Sequence, residues 1–200
     1  MAEHVPFQAE PSPEVAATEA PPALRPRIYV ASLSDYNAGR LHGDWLDANQ
    51  EPEELSDQIR AMLERSREPG TEEWAIHDHD DFGGITLSEF EELGVVSRLA
   101  AGLAVHGPAF GAFAAWHGHD NANSESFEQH YRGHWDSAEA YADDLLRDLG
   151  AEEIAGQIPA WIRPYLRLAV AGFARDLALN GDLYVNDAAE GGVYVFDTVA

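Results

Sequence analysis

Three features of this 200-residue chain point to an α+β fold of three small domains behind a disordered N-terminal tail. Short β-branched and aromatic runs stand near both ends, at Arg27–Leu33 and Val193–Phe196. Between them, apolar residues recur at helical spacing. The chain is 45% apolar, with five Trp, seven Tyr and eight Phe, which is enough bulk to bury a core.

Residues 1–25 are Pro-punctuated and rich in Ala and Glu, with few large apolar side chains. Such a segment cannot offset its own ordering entropy, so a disordered tail is expected. Met1–Glu10 has neither the basic nor the apolar region of a signal peptide. The window Gly94–Trp116 is long and apolar, but Arg98, His106, Pro108 and its Ala and Gly content fit buried helices better than a membrane span. A soluble, cytoplasmic protein with no membrane partner is the expectation.

The first domain is expected over 26–86. Arg27–Leu33 reads as a strand, Asp35–Gly39 as a turn and Leu41–Ala48 as a returning strand. Pro52 suits a first helical turn, and Leu55, Ile59, Met62 and Leu63 then make an amphipathic helix over 52–67. Pro69-Gly70 stops it, and Glu73–His77 reads as a third strand. A central helical domain follows over 87–122, with Val95, Leu99 and Leu103 before a Gly107-Pro108 break and Phe110, Phe113 and Trp116 after it. The last domain, 123–200, is α+β. It holds a helix over Ser137–Leu149, a longer one within 160–180, and two strands, Leu183–Val185 and Val193–Phe196, around Gly191-Gly192.

Charge narrows the function. Thirty-six Asp and Glu oppose twelve cations, all of them Arg, for a net −24. Direct nucleic-acid binding is excluded on this balance, because phosphate affinity needs clustered cations. Without Cys there are no disulfides, thiolate metal sites or Cys nucleophiles. No Gly-x-Ser-x-Gly elbow occurs, and a phosphate loop that needs Lys cannot form. No catalytic constellation stands out and no cofactor is expected.

The acids are not spread evenly: residues 93–119 and 154–175 contain none. An apolar, neutral scaffold is thus separated from acidic connecting surfaces. In the helix after Trp135, Asp136 and Glu139 have capping-box spacing. Tyr141, Ala142, Leu145, Leu146 and Leu149 share one arc, while Glu139, Asp143, Asp144 and Asp148 lie opposite. Like charges at i,i+4 cost about 0.2–0.5 kcal/mol per pair, so this face opposes the helix that carries it. Four readings fit the acidity: salt adaptation, GC-rich coding bias, cation binding, and imitation of a phosphate backbone.

Two motifs suggest metal. Asp78–Glu89 has Asp at calcium-loop positions 1 and 3, Gly at 6 and Glu at 12, but Phe82 stands at position 5 and a strand rather than a helix precedes it. The pairs His77/His79, His117/His119 and His130/His134 lack further ligands in sequence; the last has i,i+4 spacing, with Arg132 and Gly133 inside it. An acidic calcium- or metal-binding protein using Asp78, Asp80 and Glu89 is therefore the alternative reading.

The block Arg27–Trp45 resembles the opening of the ArdA antirestriction family. So do Glu73–Asp78 with Phe82, then Tyr131–Trp135, the acidic helix ending Asp148-Leu149-Gly150, and Gly192–Phe196. The resemblance implies an elongated, dimeric protein of three short domains in series, non-catalytic, often carried on mobile elements. It also implies mimicry of bent B-form DNA inside the DNA-binding groove of type I restriction–modification enzymes. The family's antirestriction motif matches Ser137–Gly150 here, which puts Glu139, Asp143, Asp144 and Asp148 first among the partner-binding acids. Glu125, Glu128, Asp136, Glu152 and Glu153 complete the expected surface. A duplex carries one charge per ~1.7 Å, so a net −24 matches about 40 Å, or roughly 12 base pairs.

Overall fold

The computed structural model describes residues 24–163 and 167–199. Most of the expected tail lies outside these residues. Among them the chain forms a mixed α/β fold of eight helices and two three-stranded antiparallel sheets.

The first sheet joins β1 (Arg27–Ser32), β2 (Gly43–Asp47) and β3 (Trp74–Asp80) in the order β2-β1-β3. β1 is central, pairing with β2 on one edge and β3 on the other, and its Ile28, Val30 and Ala31 are fully buried. Where a simple turn was expected, Leu33–Asn37 winds into a one-turn helix, α1. Ser32 explains the difference: its Oγ caps the helix by accepting from the Asp35 amide at 3.2 Å. Asp35 is itself buried, accepting from Ser32 Oγ at 2.8 Å, from Arg40 Nε at 3.3 Å and from Ser66 Oγ. These partners hold its carboxyl below the usual carboxylate range, the Ser66 bond contributing most.

Helix α2 (Pro52–Glu64) buries Leu55, Ile59 and Met62, as its spacing predicts. After β3, residues 81–92 run irregularly into α3 (Leu93–His106) and α4 (Pro108–His117), which turn sharply at Gly107. Leu99, Leu103, Phe110 and Phe113 are fully buried along this pair. The helices touch the 82–84 turn so closely that a Cβ on Gly111 would lie 2.2 Å from the Gly83 carbonyl oxygen.

The second sheet has the order β4-β6-β5, from β4 (Tyr131–Trp135), β5 (Leu183–Asp187) and β6 (Val193–Asp197). β4 is not expected from the sequence, because Gly133 interrupts the strand pattern. The register shifts between Tyr131 and Gly133, and Gly133 has φ +109°. His130 ends α5 (Ser124–His130) whereas His134 lies on β4, so the two do not share a helix face. His130 Nδ1 donates to the Asp197 carbonyl at 2.6 Å.

Three helices complete this half: α6 (Ala138–Asp148), α7 (Ala151–Gly156) and α8 (Val170–Asn180). Ser137, not Asp136, caps α6, its Oγ accepting from the Ala140 amide at 3.1 Å. Within 160–180, where a helix longer than α6 is expected, α8 has eleven residues, the same length as α6. One hydrophobic cluster extends from Ile28 and Val30 through Leu99 and Phe113 to Phe196. The Phe113 and Phe196 rings lie 5.8 Å apart, and Trp116 stacks on Tyr184 at 5.2 Å. Among the described residues no helix is long and apolar enough to cross a membrane.

The two acid-free windows have different fates. Residues 93–117 form the buried pair α3–α4, as a neutral scaffold should. The second window instead leaves Ile154, Trp161 and Leu168 exposed. Absence of acids thus goes with burial in one window and, at Ile154, Trp161 and Leu168, with exposed apolar side chains in the other.

Candidate partner-binding acidic surface

The helix that carries the acidic face is well made apart from its charges. Its cap is Ser137, Ala142 is fully buried, and Tyr141, Leu145 and Leu146 are half-buried on the same side. On the other side Glu139, Asp143 and Asp148 are exposed and Asp144 is partly so. Hydrophobic burial fixes the helix orientation, and that orientation points the carboxylates outward. The sole cation of α6, Arg147, contacts Asp143 at 2.7 Å and Asp144 at 3.0 Å.

The other predicted acids lie on the neighbouring elements. Glu125 and Glu128 are exposed on α5, Asp136 is exposed after β4, and Glu152 and Glu153 are exposed on α7. Glu128 stands 4.0 Å from Nε2 of His106, a largely buried imidazole nitrogen without a hydrogen-bond partner. Burial holds the His106 pKa below the usual histidine value, with Glu128 opposing.

The acidic surface also extends beyond the residues singled out from sequence. On α2, Glu53, Glu54, Asp57 and Glu64 are exposed opposite Leu55, Ile59 and Met62, the design of α6 repeated in the first half. The signal was present in the sequence as a run of acids from Asp44 to Asp57. Many of the arginines are already paired with groups of the chain itself, largely at its surface. Arg27 pairs with Asp80 at 2.6 Å, Arg65 with Asp44, and Arg132 with Asp197 at 3.2 Å. Arg98 donates to the carbonyls of Ala122, His119 and Asp120. Cations so held leave many carboxylates without a local counter-charge.

The calcium-like loop is built for packing. Asp78 and Asp80 sit on β3, and Asp80 is paired with Arg27. Phe82, Ile85 and Leu87 are buried in the core. Gly83, at the position a calcium loop reserves for glycine, has φ +58° and meets Gly111. Among the described residues, no group of three or more His, Asp or Glu is placed to hold a metal ion.

Comparison with curated proteins gives no match. The family model described as antirestriction protein (ArdA) matches residues 28–191, from the first strand through β5 with all eight helices, and ends just before β6. With most of its length matched, this chain belongs to the ArdA antirestriction protein family.

Proposed function

We propose that the protein blocks type I restriction–modification enzymes by presenting its carboxylates as a substitute for duplex DNA in their DNA-binding groove. The observation that carries this reading is α6. Its apolar side is fixed by burial while Glu139, Asp143, Asp144 and Asp148 face outward on the other, within the stretch matching the family's motif. A groove lined with Lys and Arg is drawn to such a surface over long range and held by charge-assisted hydrogen bonds. Carboxylates carry no base sequence, so inhibition is largely indifferent to the enzyme's target site.

Three units in series and a homodimer belong to the same proposal. Two chains of net −24 approach each other best where acids are absent. The exposed Ile154, Trp161 and Leu168 lie in such a stretch and suit a self-contact.

The test is displacement. A labelled duplex bound to a type I methyltransferase core should lose anisotropy when the purified protein is added, more readily in dilute buffer than in high salt. No displacement in dilute buffer rejects the proposal. Circular dichroism in the same buffer separates mimicry from salt adaptation, which requires unfolding there.

A further inference from the structure

We propose that the first half of the chain carries a docking groove for a basic segment of a partner protein, one with a bulky apolar side chain set between Lys or Arg residues. The groove, about 580 Å³, lies where the start of β3 meets the residues leading into α3. Leu33, Trp74, Phe90 and Leu93 supply apolar walls, and Glu72, Glu73, Glu91 and Glu92 surround them. A second depression continues it along α2, sharing Glu72, Trp74 and Leu93 and adding Ile59, Leu63, Glu64 and Arg60, whose guanidinium is held by Asp57 at 2.8 Å.

The walls are fixed by backbone bonds rather than loosely closed. Leu33 N–H donates to the Glu73 carbonyl at 3.1 Å, and Ile76 N–H to the Glu89 carbonyl at 2.9 Å. Phe90 nevertheless remains 67% exposed, though a large apolar ring at the mouth of a preformed hollow is favoured when covered.

Charge selects the occupant. Among the described residues none of Glu64, Glu72, Glu73, Glu91 or Glu92 forms an ion pair. Glu91 and Glu92 have a local reason to be there, because they precede the N-terminus of α3. Glu64 has the opposite situation: it ends α2, where the helix dipole disfavours an acid. Glu72 and Glu73 sit side by side before β3 with no helix to serve. A rim of this kind repels the chain's own residues 1–24, which contain four Glu and no Arg or Lys. It attracts a cationic segment, and the apolar walls add an anchor point that a phosphate backbone does not have.

This inference stands independently of the duplex-mimic proposal, since it concerns an apolar contact on α2, β3 and α3. The probe is the synthetic peptide Lys-Arg-Leu-Phe-Arg-Lys, with one counterpart carrying Ala at both apolar positions and another carrying Glu for every cation. Binding to the full chain is read from amide chemical shifts and from tryptophan emission, compared with Trp74→Phe. Saturable binding of the first peptide is expected, with shifts centred on Trp74 and Leu93 and the emission change lost in Trp74→Phe. The Ala peptide should bind about tenfold more weakly, or worse, in about 0.15 M salt, the loss expected for one or two unburied side chains. The Glu peptide should not bind. Phe90→Ser and the double variant Glu72→Gln/Glu73→Gln alter exposed side chains and should each weaken binding about fivefold without moving the unfolding midpoint. Equal binding of the Ala peptide overturns the proposal, as do shifts centred on α6. Concentration-dependent self-association abolished by Phe90→Ser also overturns it, by assigning the groove to a second copy of the chain.

Discussion

Arg147 reaches one turn back along α6 to hold Asp143 at 2.7 Å, so the most acidic helix face neutralises part of its own charge. The pair is solvent-exposed and contributes little stability, about 0.5 kcal/mol. Its larger effect is on what a partner meets. Replacing Arg147 by Gln frees both Asp143 and Asp144 and adds one net negative charge. We expect two- to fivefold tighter competition with duplex, roughly what one added charge gives in dilute buffer. A competition assay at low salt, with a melting curve as control, checks this.

Neutralising Asp143, Asp144 and Asp148 together to Asn removes three carboxylates from one helix face. Relief of like-charge repulsion and loss of the Arg147 pairs act in opposite directions, so stability should change by no more than about 0.5 kcal/mol. Displacement of duplex should weaken by about tenfold at low salt, with a shallower salt dependence. Unchanged displacement by a folded variant would move the contact to α2, where Glu53, Glu54 and Asp57 repeat the pattern.

Periodicity made much of this fold readable from sequence. β1 and α2 bury most of the residues their spacing nominates, because each has one apolar face and a clear stop; on α6 only Ala142 is buried, with Tyr141, Leu145 and Leu146 half-buried and Leu149 exposed. β4 was hidden by Gly133, whose positive φ and register shift break the alternation a strand should show. α1 depended on Ser32 acting as a cap, a choice made by Asp35 being buried against Ser66, thirty-one residues away. Gly83 shows the limit more sharply. Its spacing from Asp78 suggested calcium, while its role is to let Gly111 approach, a contact invisible until α4 is placed. The acids of α6 could be nominated from sequence; which Arg neutralise which carboxylates could not.

Asp35 should govern the acid limb of stability. Its carboxyl is depressed below the ordinary value of 3.8, chiefly by the Ser66 hydroxyl and further by Ser32 and Arg40. The unfolded chain therefore binds this proton first as pH falls. The stabilisation is fully present above the unfolded value and is lost as pH drops through the native one. Asp35→Asn should lower the melting temperature at pH 7 and flatten the profile below about pH 4. Melting curves over pH 2.5–7 for both proteins would show it; identical slopes would remove Asp35 from this role.

His106 acts at milder acidity. Its pKa is held below 6.5, mainly by burial, so the unfolded state protonates first. Stability is present above that value and drains as pH falls from it toward the native pKa. His106→Phe removes the unpartnered Nε2 and keeps a ring against Phe127, whose centroid lies 4.5 Å away. We expect a gain of about 1 kcal/mol at pH 6, or 2–4 °C, and a flatter profile between pH 5 and 7. A lower melting temperature in the Phe variant would show that the imidazole is better accommodated than its missing partner implies.

Gly102 separates two effects of comparable size. It lies inside α3, where Ala is favoured over Gly by about 1 kcal/mol. A Cβ there would sit 2.3 Å from the ring of Phe110, which is fully buried and cannot swing into solvent. Overpacking of this kind costs about 1–3 kcal/mol. Packing should therefore win, and Gly102→Ala should lower the melting temperature by a few degrees despite its better helix propensity. The double variant Gly102→Ala/Phe110→Leu distinguishes the causes. If the ring is the obstacle, the two substitutions couple favourably and the pair is more stable than the sum of its single losses predicts. If they simply add, the close approach of α3 and α4 at this point does not depend on a missing side chain. The glycine would then be incidental to the packing that places both sheets on one core.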